Sequence, residues 1–272
     1  MASLDRYLED QLARGRAWFS REDALRALDI SPNALAAALS RLGAKQRLAN
    51  PRHGFYLILR PEDRPAGAPD PARWIDPLMK HQRIDYRVSL LRAAAFHGAS
   101  HQAAMVFQVI VPRQLRDFEI GRHRLQFVYQ APHAFAKANR PEWLGRMQTD
   151  AGYAKAAGIE LTLLDCVRYP HRAAGIDGVA QIVKDLGAKA DPRKLAKLAH
   201  AYENSSVRRL GYLLELARHA RQAKALEPFA GAAKSAKPLD PSIRGLAASS
   251  ARAARKNARW KLLIHAPVEL EA

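Results

Sequence analysis

Cysteine, aromatic residues, acidic charge and long apolar runs are all scarce in this sequence, and each shortage closes off a class of function. The 272 residues include one cysteine, Cys166, so no internal disulfide and no cysteine-based zinc cluster can form. Flanked by Asp165 and Val167 in an apolar segment, Cys166 reads as a core residue rather than a nucleophile. The longest apolar run, Met105 to Val111, is broken by Gln108 and falls far short of the roughly twenty residues that cross a bilayer. Met1 to Asp10 mixes charged with apolar residues and lacks the apolar core of a secretory signal. No phosphate-binding glycine loop, dinucleotide fingerprint, zinc-protease helix or nucleophile elbow is present. These absences predict a soluble, cytoplasmic chain with no membrane partner, no cofactor and no metal.

Acidic residues number 26 against 44 Lys and Arg, a formal net charge of +18. Such a surplus points to an anionic partner, because clustered cations displace counterions from phosphates. Hydrophobic residues make up 48%, enough to build a sizeable core.

The segment Pro61 to Pro71 (PEDRPAGAPDP) has four prolines and no apolar periodicity. It predicts a semi-rigid linker over 61–72, between a domain at 1–60 and a larger one at 73–272. In the first domain Leu4, Leu8 and Leu12 recur at helical spacing. Ser20 forms a capping box with Asp23, and Ser31 caps a further helix whose first position is Pro32. Arg47 to Ala49 and Phe55 to Ile58 flank the turn-rich Asn50 to Gly54 as two strands. Two helices joined by a short turn and followed by a hairpin predict a winged helix-turn-helix, whose second helix enters the major groove.

If Leu35, Leu39 and Leu42 face the core, Asn33, Ala37 and Ser40 face outward with Arg41 on the flank. Asn33 can pair bidentately with adenine, Ser31 stands at the helix start, and Arg41 and Lys45 are placed for phosphates. Arg21 in the preceding helix, and Arg52 and His53 at the hairpin tip, complete the predicted DNA-binding set. The alanine-rich face predicts modest base readout that leans on thymine methyls and DNA shape.

The larger part predicts mixed α and β. Helices are expected at Tyr86–His97, Ile176–Leu186, Asp191–Tyr202 and Val207–Ala223, with one starting at Thr162 capped against Asp165. Strands are expected at Met105–Val111, Leu125–Tyr129 and Trp260–His265, and loose stretches at Pro132–Pro141 and Pro228–Pro241. The fold class is therefore mixed α/β (α+β), with the winged domain followed by a larger α/β domain. Arg208, Arg209, Arg218, Arg221 and Lys224 predict a basic helical surface. Arg244, Arg252, Arg255, Lys256, Arg259 and Lys261 follow in a stretch with no acid between Asp240 and Glu269.

The first domain, the segment YRVSLLRAAAFHGASHQ (Tyr86 to Gln102), GIELTLLDCVRYPHRAAGIDGVAQIV (Gly158 to Val183) and the closing RWKLLIHAPVELE (Arg259 to Glu271) resemble the AbiEi antitoxins of type IV toxin–antitoxin systems, which act in abortive phage infection. The resemblance implies a repressor of its own operon, binding inverted repeats in the promoter as a dimer on DNA or a monomer in solution. It also implies an antitoxin that counteracts an AbiEii-like nucleotidyltransferase toxin without a stable complex. Thr162, Asp165, Arg168, His171 and Arg172 would fall in the antitoxin-specific region, with helix capping the simpler role for the first two and His171 and Arg172 the better candidates for function.

Two alternatives stand beside this reading. One is a DNA-binding regulator without antitoxin activity. The other is a nucleotidyltransferase, for which Gly98-Ala99-Ser100 and the acids Asp117 and Glu119 are a faint echo. Pro112 interrupts the segment that should present those acids, and Arg113 and Arg116 crowd them with positive charge, so the expectation is a protein that is not an enzyme. His97 and His101 could share a helix face but lack a third metal ligand nearby.

Overall fold

A computed structural model describes residues 3–99, 106–149, 152–243 and 254–270. The chain is mixed α and β and divides into two compact units, each of which is discontinuous in sequence.

The first unit comprises Met1–Arg87, Met105–Gln130 and Arg146–Lys155. Helix α1 (Leu4–Ala13) starts at Ser3, whose side chain accepts the Arg6 amide. Strand β1 (Trp18–Ser20) leads into α2 (Arg21–Leu28), where Ser20 Oγ accepts the Asp23 amide at 3.1 Å. Asp29, in the left-handed region at φ 51°, ends α2. Ser31 then caps α3 (Pro32–Ala44) by accepting the Ala34 amide at 3.2 Å, with Pro32 at the first position as expected. Strands β2 (Leu48–Arg52) and β3 (Phe55–Ile58) follow, and the antiparallel sheet runs β1-β3-β2. Leu8, Phe19, Ala24, Leu28, Leu35, Leu39, Leu42 and Ile58 form one apolar core beneath these elements.

The β2–β3 hairpin differs from expectation. Asn50 to Arg52, expected as loop, belong to β2 through a register shift between Ala49 and Arg52. Asn50 Nδ2 donates to the carbonyls of Arg52 and Phe55 (2.8 and 2.7 Å), which confines the reversal to His53-Gly54, with Gly54 at φ 76°.

The expected linker is folded rather than strung between domains. Pro61–Ala66 and Pro71–Arg73 are 3₁₀ turns, and buried Asp63 pairs with Arg73 at 3.2 Å. The Ala66 carbonyl accepts the Arg122 amide at 2.8 Å. A Cβ on Gly121 would stand 2.0 Å from that same carbonyl, so the approach requires glycine there. Prolines preset turns that pack as readily as they space.

Helix α4 (Ile75–His81) follows, and then β4 (Arg87–Val88). Strands β5 (Val106–Val111), β6 (Phe118–Ile120) and β7 (His123–Tyr129) are ordered β6-β7-β5, with β5 and β7 parallel from Val106↔Arg124 to Val111↔Tyr129. The boundary between the units falls within β8 (Leu144–Thr149) and β9 (Gly152–Ala157).

The second unit comprises Val88–Ala104, Ala131–Gly145 and Ala156–Ala272. Its helices are α5 (Leu90–Phe96), α6 (Pro132–Ala138), α7 (Ile159–Arg168), α8 (Gly175–Leu186), α9 (Pro192–Ala199), α10 (Asn204–Leu216) and α11 (Ala220–Gly231). Helix α7 packs against α5, α8, α9 and α10, with Leu161, Leu163, Leu164, Cys166 and Val167 all buried. Burial pushes the Cys166 thiol well above its ordinary range, with the Asp165 charge adding to the effect. Strands β10 (Lys237–Pro238), β11 (Arg255–Asn257) and β12 (Leu262–Ile264) form a small sheet ordered β10-β12-β11.

Four expectations change here. The helix expected from Tyr86 begins only at Leu90, because Val88 is a buried strand residue paired with Ala156. Thr162 and Asp165 lie inside α7, whose first turn follows Gly158, so neither is its cap. The single helix expected over Val207–Ala223 is α10 and α11, broken where Arg218 takes a φ of 64°. The loose stretch at Pro132–Pro141 holds α6, with Pro132 at its first turn.

Candidate functional site

The α3 surface divides as its periodicity predicts. Leu35, Leu39 and Leu42 are buried, while Ser31, Asn33, Ala37, Ser40, Arg41 and Lys45 are exposed. Arg41 and Lys45 make no ion pair or side-chain hydrogen bond among the described residues. Arg21, half-buried at the start of α2, donates its amide to the Gly54 carbonyl at 2.8 Å. That bond ties the start of α2 to the hairpin tip. The result is a helix face with free cations, free small polar side chains and methyl groups.

The hairpin tip is built differently. His53 is exposed, and its carbonyl lies 3.4 Å from His81 Nε2. Arg52, expected to reach DNA, turns onto its own unit. Its guanidinium stands 4.3 Å from the centre of the Phe118 ring and donates to the Arg116 carbonyl at 2.6 Å. Desolvation by burial lowers its pKa. Arg52 therefore fastens the hairpin to β6, and the cation at the tip is already engaged.

The residues singled out in the second unit separate into two sets. Thr162 and Asp165 are fully buried. Asp165 accepts the Ser89 hydroxyl at 2.7 Å and the Tyr202 hydroxyl at 2.6 Å, so one carboxylate ties the start of α5 and the end of the α9 segment to α7. Ser89 and Tyr202 were not foreseen, since a serine before an apolar helix and a tyrosine after one carry no sequence signal of their meeting. Arg168, His171 and Arg172 lie toward the surface. Arg168 pairs with Glu203 and lies over the Tyr169 ring; burial works against its charge, but Tyr169 and Glu203 outweigh it and hold the pKa above the ordinary value. His171 is exposed in a 3₁₀ turn (Pro170–Arg172), and its pKa is lowered by desolvation and by the Arg172 charge.

The expected basic helical surface requires correction. Arg208 and Arg209 are each 3% exposed. Arg208 donates to the carbonyls of Ser235, Trp260 and Lys261, and Arg209 donates to that of Pro238. Arg218, Arg221 and Lys224 are exposed. Of the later cations, Arg259 pairs with Glu215 and Glu227, and Lys261 donates to the Gly231 and Ala233 carbonyls. Arg255 and Lys256 are exposed, while Arg244 and Arg252 lie outside the described residues.

The residues of the nucleotidyltransferase alternative are described in part. Asp117 accepts the Phe127 amide at 2.7 Å, and Glu119 faces Arg124 at 3.8 Å. His97 Nε2 lies 2.7 Å from the Ala157 carbonyl. Ser100 and His101 lie outside the described residues. Among the described residues no three potential metal ligands converge, and no helix is long and apolar enough to cross a membrane. A cavity of about 380 Å³ in the second unit sets Asp177, Asp185 and Glu269 around an apolar floor that includes Leu91 and Ile182.

A search of curated proteins returned no match. Among solved structures, the chain is similar to that described as the crystal structure of RV2827C protein from Mycobacterium tuberculosis. The TM-score is 0.66 at 16% identity, over 96% of this chain and 90% of the other. At that identity the likeness speaks to fold, and it agrees with a mixed α and β chain. Residues 87–216, just under half of the chain, match the family model described as the AbiEi antitoxin C-terminal domain, and this segment is similar to that family.

Proposed function

We propose that this protein is an autoregulatory antitoxin. In this reading residues 1–60 are a winged helix-turn-helix that binds double-stranded DNA at inverted repeats in the protein's own promoter. The C-terminal part counteracts an AbiEii-like nucleotidyltransferase toxin without forming a stable complex with it.

The observation that carries the DNA half is the open face of α3. Asn33, Ala37, Ser40, Arg41 and Lys45 stand exposed over a core made by the leucines of the same helix. A helix that spends its apolar stripe on its own core and leaves an uncompensated polar stripe outside has the shape that a major groove accepts. Arg41 and Lys45 supply phosphate contacts, Asn33 supplies base readout, and Ser31, Arg21 and His53 flank them. Arg52 acts as a strut that orients the hairpin. The antitoxin half rests on the family match over 87–216, in which His171 is the exposed member of the singled-out set and Arg172 is half-buried.

A gel shift with the region upstream of the operon tests the DNA half. Arg41→Ala is expected to weaken binding about tenfold and to lower the salt slope by about one. An unaltered shift, or none at low salt for the unmodified protein, rejects it. Co-expression with the neighbouring toxin gene tests the other half, and failure to restore growth reduces the protein to a repressor.

A further inference from the structure

We propose that the second unit holds a single-stranded nucleic-acid site in the groove between the 3₁₀ turn Pro141–Trp143 and helix α9. There Trp143 stacks a base while Arg193, Lys194 and Lys197 take phosphates. The groove encloses about 750 Å³ and is lined by these residues and His200. The inference is independent of the promoter reading, which uses α3.

Four observations support it. Helix α9 is strongly sided: Leu195, Leu198 and Ala199 are buried, while Arg193, Lys194, Lys197 and His200 are exposed. The two acids at the groove are already occupied. The Asp191 carboxylate accepts the Arg193 and Lys194 amides at 2.7 and 3.0 Å as the cap of α9, and Glu142 pairs with Arg140 at 3.0 Å. The three cations make no ion pair among the described residues; the Asp191 charge is felt by Arg193 and Lys194, but the cations outnumber the two acids and the groove keeps a net positive charge. Such a charge is complementary to a phosphate chain.

The tryptophan is the third observation. Trp74 and Trp260 are buried with their indole N–H groups bonded to the Pro69 carbonyl and to Glu215, and Trp18 stacks on Phe55. Trp143 is only partly buried and has neither a ring partner nor an indole hydrogen bond among the described residues. A large aromatic left uncovered beside cations suits a base face.

Fourth, the turn that carries the ring is anchored through its main chain. The Trp143 carbonyl accepts the Gly158 amide at 2.9 Å, an approach that a Cβ on Gly158, only 2.8 Å from that oxygen, would prevent. A strand with unpaired bases is required, because bases within a duplex offer no face to stack on.

The test uses the full chain and the fluorescence anisotropy of end-labelled oligouridylate and oligothymidylate at low salt. Trp143→Ala is expected to weaken binding about tenfold, and Trp143→Phe to restore most of it. Lys194→Ala/Lys197→Ala, confined to the exposed face, is expected to flatten the salt dependence by about 0.7 per phosphate lost. Arg41→Ala/Lys45→Ala is expected to leave strand binding unchanged. Equal affinity for the two oligomers assigns recognition to base and phosphate alone, whereas tighter oligouridylate binding assigns the site to RNA. Strand binding that survives in both the Trp143→Ala and the lysine variants, or that disappears with the α3 variant, overturns the proposal.

Discussion

Arg41 and Lys45 on α3 and Arg208 and Arg209 on α10 come from the same cationic surplus, yet the structure uses them in opposite ways. The α3 pair stands in solvent with its charge uncommitted. The α10 pair is buried, and Arg208 spends one guanidinium nitrogen on three main-chain carbonyls that belong to the segments before β10 and β12. A net charge of +18 therefore overstates the surface available to an anion. What separates the two regions is the neighbouring sequence. Helix α3 is followed by the strands of its own small sheet. Helix α10 is followed by a C-terminal segment whose short strands leave carbonyls in need of donors, and a long fork-shaped donor meets that need.

The comparison is broken or sharpened most directly at Arg208. Arg208→Ala leaves those carbonyls buried without their donor and is expected to cost about 3 kcal/mol of stability by chemical denaturation. Arg41→Ala is expected to leave the denaturation midpoint unchanged while weakening DNA. If Arg208→Ala proves as stable as Arg41→Ala, the buried arginine is decorative and the contrast fails.

Asp165 ranks next. It is an acid in a basic chain, and it is committed to the interior as fully as Arg208. Asp165→Ala strands the hydroxyls of Ser89 and Tyr202 in a site closed to solvent, for an expected loss of about 2 kcal/mol. His171→Ala, at an exposed position, is expected to fall within about 0.5 kcal/mol of the unaltered protein. Thermal melts of the two variants compare them. Equal shifts would remove the distinction between the interior and surface members of the singled-out segment.

Much of the first unit was legible because its signals are local. Ser20 and Ser31-Pro32 mark helix starts there, as Asp191-Pro192 does in the second unit, through bonds that reach only a few residues, and the leucine spacing of α3 fixes its buried side. What escaped depended on distant partners. Val88 is a strand residue because of Ala156, far along the chain. The Pro61–Pro71 stretch folds because its turns meet the reversal at Gly121, where a side chain has no room. Trp260 is buried because Gly211 leaves space for its ring, since a Cβ there would lie 2.1 Å from it. The candidate sites show the same limit. Exposure of Asn33 and Arg41 follows from helical periodicity, whereas the capture of Arg52 by Phe118 and the grouping of Trp143 with α9 are tertiary facts.

The smallest effect belongs to an exposed charge, and it marks the lower end of the comparison. Asp23 sits at the third position of α2, bonded to the Ser20 cap and paired with Arg26. Burial alone would raise its pKa, but the bond to Ser20 and the Arg26 charge outweigh that and hold it below the ordinary carboxylate value. A carboxylate whose folded pKa lies below its unfolded value near 3.9 stabilises the fold above that pH, and the contribution disappears as the pH falls through the folded value. With the Asp23 side chain 44% exposed, solvent screening keeps the contribution under about 1 kcal/mol. Denaturation midpoints followed from neutral pH into the acid range should therefore fall slightly less for Asp23→Asn than for the unaltered protein, and added salt should shrink the gap. A gap as large as the Arg208→Ala effect would mean that exposed and buried charges contribute alike, against the division drawn between α3 and α10.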